Sequence, residues 1–135
     1  MNYEDKIEFL IKAGCGEQDH SGLTLLDHLE AVSYRIFLGG HPQHLIDAGL
    51  FHSIYGTTVF KPSMVNFGER DLIKEMIGDK AEELVYWFCK CKPPRFRNIM
   101  KLPDGQFQRD LLILNTANQD DVNASTRNLK DFYNV

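Results

Sequence analysis

His28 lies in LLDHLEAVSYRI and His52 in LIDAGLFHS, two segments whose apolar residues recur at helical spacing. On the first, Leu25, His28, Leu29, Val32 and Ile36 share a face; on the second, Leu45, Ala48, Gly49 and His52 do. Burying an imidazole costs free energy unless its nitrogens are bound. A neutral imidazole is also a good ligand for zinc, iron, manganese or nickel. Two of them on packed helices, with an oxygen ligand from a third, suit a divalent transition metal. The plainer role for a histidine on an apolar face is that of a core residue satisfied by one hydrogen bond.

Other residues carry weaker signals. His20 sits in the loop CGEQDHSG, from which it can supply a further ligand. Tyr55 and Thr57 follow His52 closely enough to line a pocket, although Tyr55 equally fits a core position. Arg70, near a glycine at a helix start, suits either a phosphate group or a solvated surface. Lys90, Lys92, Arg95, Arg97 and Lys101 concentrate positive charge in one stretch. His41 and His44 flank a helix start and are expected on the surface. Cys89 and Cys91 are two residues apart on a helix, so they point in different directions and do not share a metal.

The elements that must position these residues are all helical. A first helix is expected over Tyr3–Ala13, with Ile7, Leu10 and Ile11 inward. The second spans about Leu23–Leu38, with Thr24 and Asp27 spaced as a capping box and Gly39-Gly40 ending it. Pro42 starts the third at the position where a missing N–H does no harm, and Ala48 and Gly49 admit a close neighbour. Thr57–Gly68 reads as a lid or crossover. A fourth helix, about Glu69–Ile77, turns Leu72, Ile73, Met76 and Ile77 inward. Asp79 caps a fifth, whose inner face is Ala81, Leu84, Val85 and Phe88. The prolines and the Asp104-Gly105 turn make KPPRFRNIMKLPDGQF a loop. The last strong helix covers about Phe107–Asn118 and carries Leu111, Leu114, Asn115 and Asn118 along one stripe. Leu129, Phe132 and Tyr133 mark a short final docking segment. No strand pattern, repeat or domain boundary appears. The expected fold is all-α: residues 1–135 as a single-domain bundle of about 5–7 helices.

Composition bounds the function. With 43% hydrophobic and 25% charged residues, the 135-residue chain has the balance of a globular domain. A net charge of −4 argues against a general nucleic-acid or anionic-membrane binder, while leaving room for a small anion held by local basic groups. No apolar run reaches the roughly 20 residues needed to cross a bilayer. The N-terminal stretch is acidic and amphipathic, unlike a secretory signal, and three cysteines suit a reducing compartment. The expected location is cytoplasmic.

His28 on one helix, followed by AGLFHS at the end of the next, resembles the HD-domain superfamily. That superfamily is an all-helical fold of metal-dependent phosphohydrolases, with relatives that are di-iron oxygenases. Its signature is a histidine, a His-Asp doublet ending the following helix, and a distal aspartate on a late helix. The chain also resembles a group of small HD-like domains that share HSxYGT. RDLIKEMIGDKAEELV also looks like the segment after the doublet in alarmone hydrolases.

The resemblance implies a divalent metal held by His28 and His52, and hydrolysis of a phosphate ester of a nucleotide or similar small molecule. Asn118 or His20 would complete the ligand set, Ser53 and Tyr55 would contact water or substrate, and Thr57 and Arg70 would bind the substrate. The departures are specific. Ser53 stands in place of the doublet aspartate, and Asn118, or less favourably Asn115, in place of the distal one. Gly56 and Thr57 occupy the place of the alarmone hydrolases' acidic pair. Asp120 and Asp121 offer replacement charge, although they read as a solvated helix end. The alternative is a catalytically degenerate HD-like domain that binds a small ligand or partner without metal.

Overall fold

The computed structural model describes residues 1–16, 24–56 and 67–124. Within them the chain is all-helical: α1 (Tyr3–Lys12), α2 (Leu25–Leu38), α3 (Gln43–Phe51), a 3-10 turn (Phe67–Glu69), α4 (Arg70–Ile77), α5 (Asp79–Lys90), α6 (Arg95–Met100) and α7 (Gln106–Ala124). The expectations placed on His20, Thr57, the 57–66 crossover and the final docking segment fall outside the described residues. No described helix is long and apolar enough to cross a membrane.

The bundle is organised around α2, which packs on α3 and α7; α3 also packs on α5, and α5 on α4 and α7. Leu29, Val32 and Ile36 of α2 meet Leu45, Ala48, Phe51, Leu84, Val85, Phe88, Leu111 and Leu114 in one apolar core. The expected capping box forms at the start of α2: the Thr24 hydroxyl accepts from the Asp27 N–H, and Asp27 accepts from the Thr24 N–H. Gly49 sets the α2–α3 spacing. A Cβ there would lie 2.8 Å from Ile36 Cδ1 and 3.2 Å from Ser33 Cα, so a larger residue would force the helices apart. Ser33 reinforces this contact by donating to the Ile46 carbonyl at 3.1 Å.

Several elements differ from expectation. The stretch 92–107 is not wholly loop, because it contains α6. Pro94 precedes that helix, Ile99 anchors it in the core, and the Gln108 amide bonds to the carbonyls of Ile99, Met100 and Leu102 at its end. Helix α7 continues six residues past Asn118, because buried Val122 extends the inward stripe. Leu72 and Ile11 are 42% and 52% exposed. In place of Ile11, the buried side of α1 offers Lys6, whose ammonium pairs with Asp47 of α3 at 2.9 Å. Pro42 is the N-cap of α3, and Asp79 is the first helical residue of α5 after Gly78, whose φ of 87° suits glycine.

His41 and His44 are half-buried, not surface residues. His44 Nε2 lies 3.1 Å from the buried carboxylate of Asp110, which also accepts from Gln106, so a polar contact between α3 and α7 draws it inward.

Candidate functional site: a buried histidine pair

His28 and His52 meet inside the bundle. Their ring centroids are 5.2 Å apart, the planes are inclined at 74°, and each residue is 1% exposed. The first ring comes from the first turn of α2 and the second from the residue that ends α3. Phe88 of α5 closes one side, edge-on to His52 at 5.3 Å between centroids.

The outer nitrogen of each ring is bound. His28 Nδ1 lies 2.6 Å from Asp121 Oδ2, where a carboxylate can only accept, so Nδ1 carries the proton. Asp121 also accepts from Arg35 Nε at 3.3 Å; Arg35 is seven residues after His28 on the same helix face. Burial alone would raise the Asp121 carboxyl, but His28 and Arg35 outweigh it and hold the group below its ordinary value. His52 Nδ1 donates to the Gly49 carbonyl at 2.7 Å, inside its own final turn.

The inner nitrogens differ. His28 Nε2 lies 2.8 Å from Asn118 Oδ1. A proton on Nε2 satisfies that contact; without one, both atoms present lone pairs to the same space. His52 Nε2 is buried and has no hydrogen-bond partner among the described residues. Asn118 stands close enough to favour its protonation, but burial and the neighbouring His28 dominate and lower the His52 pKa from 6.5 to about 3. His52 is therefore neutral at pH 7, with a lone pair on a buried nitrogen.

Ser53 is buried beside His52, and its carbonyl accepts from the Gly56 N–H. Asn115 is only half-buried, so Asn118 is the amide that reaches the pair. Tyr55 and Arg70 converge on Glu82, which sequence reasoning did not single out. The Tyr55 hydroxyl donates to Glu82 Oε2 at 2.6 Å, and Arg70 forms a two-pronged pair with the same carboxylate at 2.8 Å on each arm. Burial alone would raise the Glu82 carboxyl, yet these donors hold it below its ordinary value.

The Cys89 thiol donates to the His52 carbonyl at 3.0 Å, while Cys91 points elsewhere, toward the Arg95 carbonyl. Asp121 is not a solvated helix end but the carboxylate that orients His28. Its spacing of three from Asn118 was the available signal, since both then fall on one side of a helix.

The arrangement has the features of imidazole metal ligands, each with one nitrogen donating to a carboxylate or carbonyl and the other turned inward. The inner donors are two imidazole nitrogens and an amide oxygen, with no carboxylate among them. Among the described residues, no group of three or more His, Cys, Asp and Glu side chains could hold a metal. The set fits a borderline transition ion that accepts nitrogen ligands better than a hard ion that needs carboxylates.

These features define an all-helical bundle built around a buried histidine pair. The model of a family described as a domain of unknown function, DUF6817, matches residues 9–93, more than half of the chain, and the chain belongs to that family. The matched segment includes both histidines and ends before α7, which brings Asn118 and Asp121. No curated protein and no solved structure matches the chain.

Proposed function

We propose that this chain is an HD-like domain that holds a divalent transition metal between His28 and His52 and hydrolyses a phosphate ester of a nucleotide or another small molecule. The observation that carries the proposal is His52 Nε2, a buried lone pair without a partner among the described residues, on a ring whose centroid lies 5.2 Å from that of a second imidazole. An unbound buried nitrogen costs about 1–3 kcal/mol, and a bound cation would recover it. His28 and His52 would be the ligands, with Asn118 Oδ1 as a third and His20 a further candidate. Such an ion, if bound, would polarise a phosphoryl oxygen and lower the pKa of a bound water. Asp121 acts through His28 by keeping its proton on Nδ1. Ser53 is the nearest hydroxyl in sequence to the pair and is assigned to water or substrate.

A second reading is a degenerate HD-like domain that binds a small phosphate ligand without metal. It is favoured by the lack of a carboxylate among the inner donors of the described residues and by His28, both of whose nitrogens have partners within the protein. Metal analysis of purified protein separates the two. The first reading expects about one transition-metal ion per chain, lost in His52→Ala. A folded, metal-free wild type that binds a nucleotide selects the second.

A further inference from the structure

Among the described residues, Arg70 and Arg95 each stack on an aromatic ring, and a carboxylate pairs with Arg70 alone. Arg70 Cζ lies 3.7 Å from the Tyr86 ring centroid, with its donors committed to Glu82. Arg95 Cζ lies 4.1 Å from the Phe88 ring centroid, and its Nε is buried with no hydrogen-bond partner. Among the described residues, no carboxylate pairs with the Arg95 side chain. The closest titratable neighbours supply no counter-charge: burial pushes the Cys89 thiol up to about 12 and raises Cys91 as well, so both are protonated at pH 7.

Arg95 is half-buried, with Nε the atom withdrawn from solvent, and a guanidinium partly removed from water without an anion is costly. A benzene ring gives cation–π contact but leaves the planar fork of N–H donors unfilled. Phe88 is also the ring that packs edge-on against His52, so it contacts both unsatisfied groups. Arg95 is near enough for its charge to oppose protonation of His52. A buried lone pair and a half-buried cation with no carboxylate partner among the described residues, beside one phenyl ring, are what a ligand with an oxyanion would complete.

We propose that Arg95 is the oxyanion-binding residue of the His28–His52 site and receives the phosphoryl group of its ligand. This deepens the reading above and rests on it for the location of the ligand. Arg70, the basic residue that sequence favours for this role, is already neutralised by Glu82.

The test is calorimetric titration of the full chain with inorganic phosphate at fixed ionic strength, with metal content and melting temperature measured on the same samples. Arg95→Met is expected to weaken phosphate binding about tenfold or more, while melting at the same or a higher temperature because a half-buried charge without a carboxylate partner is gone. Arg97→Met, which removes an exposed neighbour, should stay within about twofold of wild type. Arg95→Lys keeps the charge without the fork and should also lose affinity, which covers a poorly folded Arg95→Met. Unchanged affinity in the folded Arg95 variants, equal losses at Arg95 and Arg97, or no saturable phosphate binding by the wild type would each overturn the proposal. Metal-free protein with Arg95-dependent phosphate binding would sink the metal centre alone. Metal-loaded protein whose phosphate binding ignores Arg95 would sink this inference alone.

Discussion

His52 donates from Nδ1 to the carbonyl of Gly49, three residues earlier, at 2.7 Å, which fixes which nitrogen of the ring is left for the interior. The same glycine lets α3 approach α2 closely enough to bring His52 within 5.2 Å of His28, centroid to centroid. One residue thus sets both the tautomer and the position of the second imidazole.

The buried His52 should make the protein sensitive to mild acid. Its folded pKa is depressed to about 3 against an ordinary 6.5, so the unfolded chain takes up a proton that the folded chain refuses. Stability is fully present above pH 6.5 and is lost as pH falls from there toward the folded value. Between pH 7 and 5 the loss from this group is about 2 kcal/mol. Urea unfolding across that range should show it, and His52→Gln should flatten the slope. An equally steep slope in the variant would show that another group carries the acid sensitivity.

Asp121 should act on the site through His28. Asp121→Asn keeps an acceptor near Nδ1 but removes the charge that His28 and Arg35 share. Metal affinity is expected to drop about 10- to 100-fold, the usual effect of losing a carboxylate that orients a histidine ligand. Competition with a chromogenic chelator would measure it. Affinity equal to wild type would mean that the carboxylate holds α7 to α2 and nothing more.

The Glu82 cluster should be a stability element. Glu82 is fully buried and accepts from Tyr55 and Arg70, which ties the turn after α3 to α4 and α5. Arg70→Ala leaves that carboxylate with the tyrosine and is expected to cost about 3–5 kcal/mol. The double variant Arg70→Met, Glu82→Gln should recover a good part of it. Because the Glu82 pKa is depressed below its ordinary 4.5, the cluster's contribution is complete above that value and disappears as pH falls through the lower folded value. Additive losses in the double variant, read from denaturant midpoints, would contradict the coupling.

Much of the architecture was legible because it depends on local rules. The capping box at Thr24, the ends at Gly39 and Gly78, and the buried faces of α2, α3 and α5 follow from helical spacing and terminus chemistry. So does the inward direction of both histidines, since each shares a face with aliphatic residues. Helix α6 was hidden because a six-residue helix after two prolines has weak periodicity, and its carbonyls are satisfied by Gln108 of another helix. The reach of α7 was hidden because its last turns are polar, and polar residues at helical spacing look the same whether they face water or a histidine.

The sequence alone determined that this is an all-helical chain with His28 and His52 on apolar faces, because a side chain's direction on a helix follows from its position in the repeat. The tertiary structure decided which polar groups meet. Asp121 reaches His28 across 93 positions and Asn118 across 90, Glu82 gathers Arg70 and Tyr55, and Arg95 rests on Phe88 with no carboxylate partner among the described residues. Those pairings come from how the helices pack against one another, and no spacing along the chain encodes which side chain will supply the missing charge.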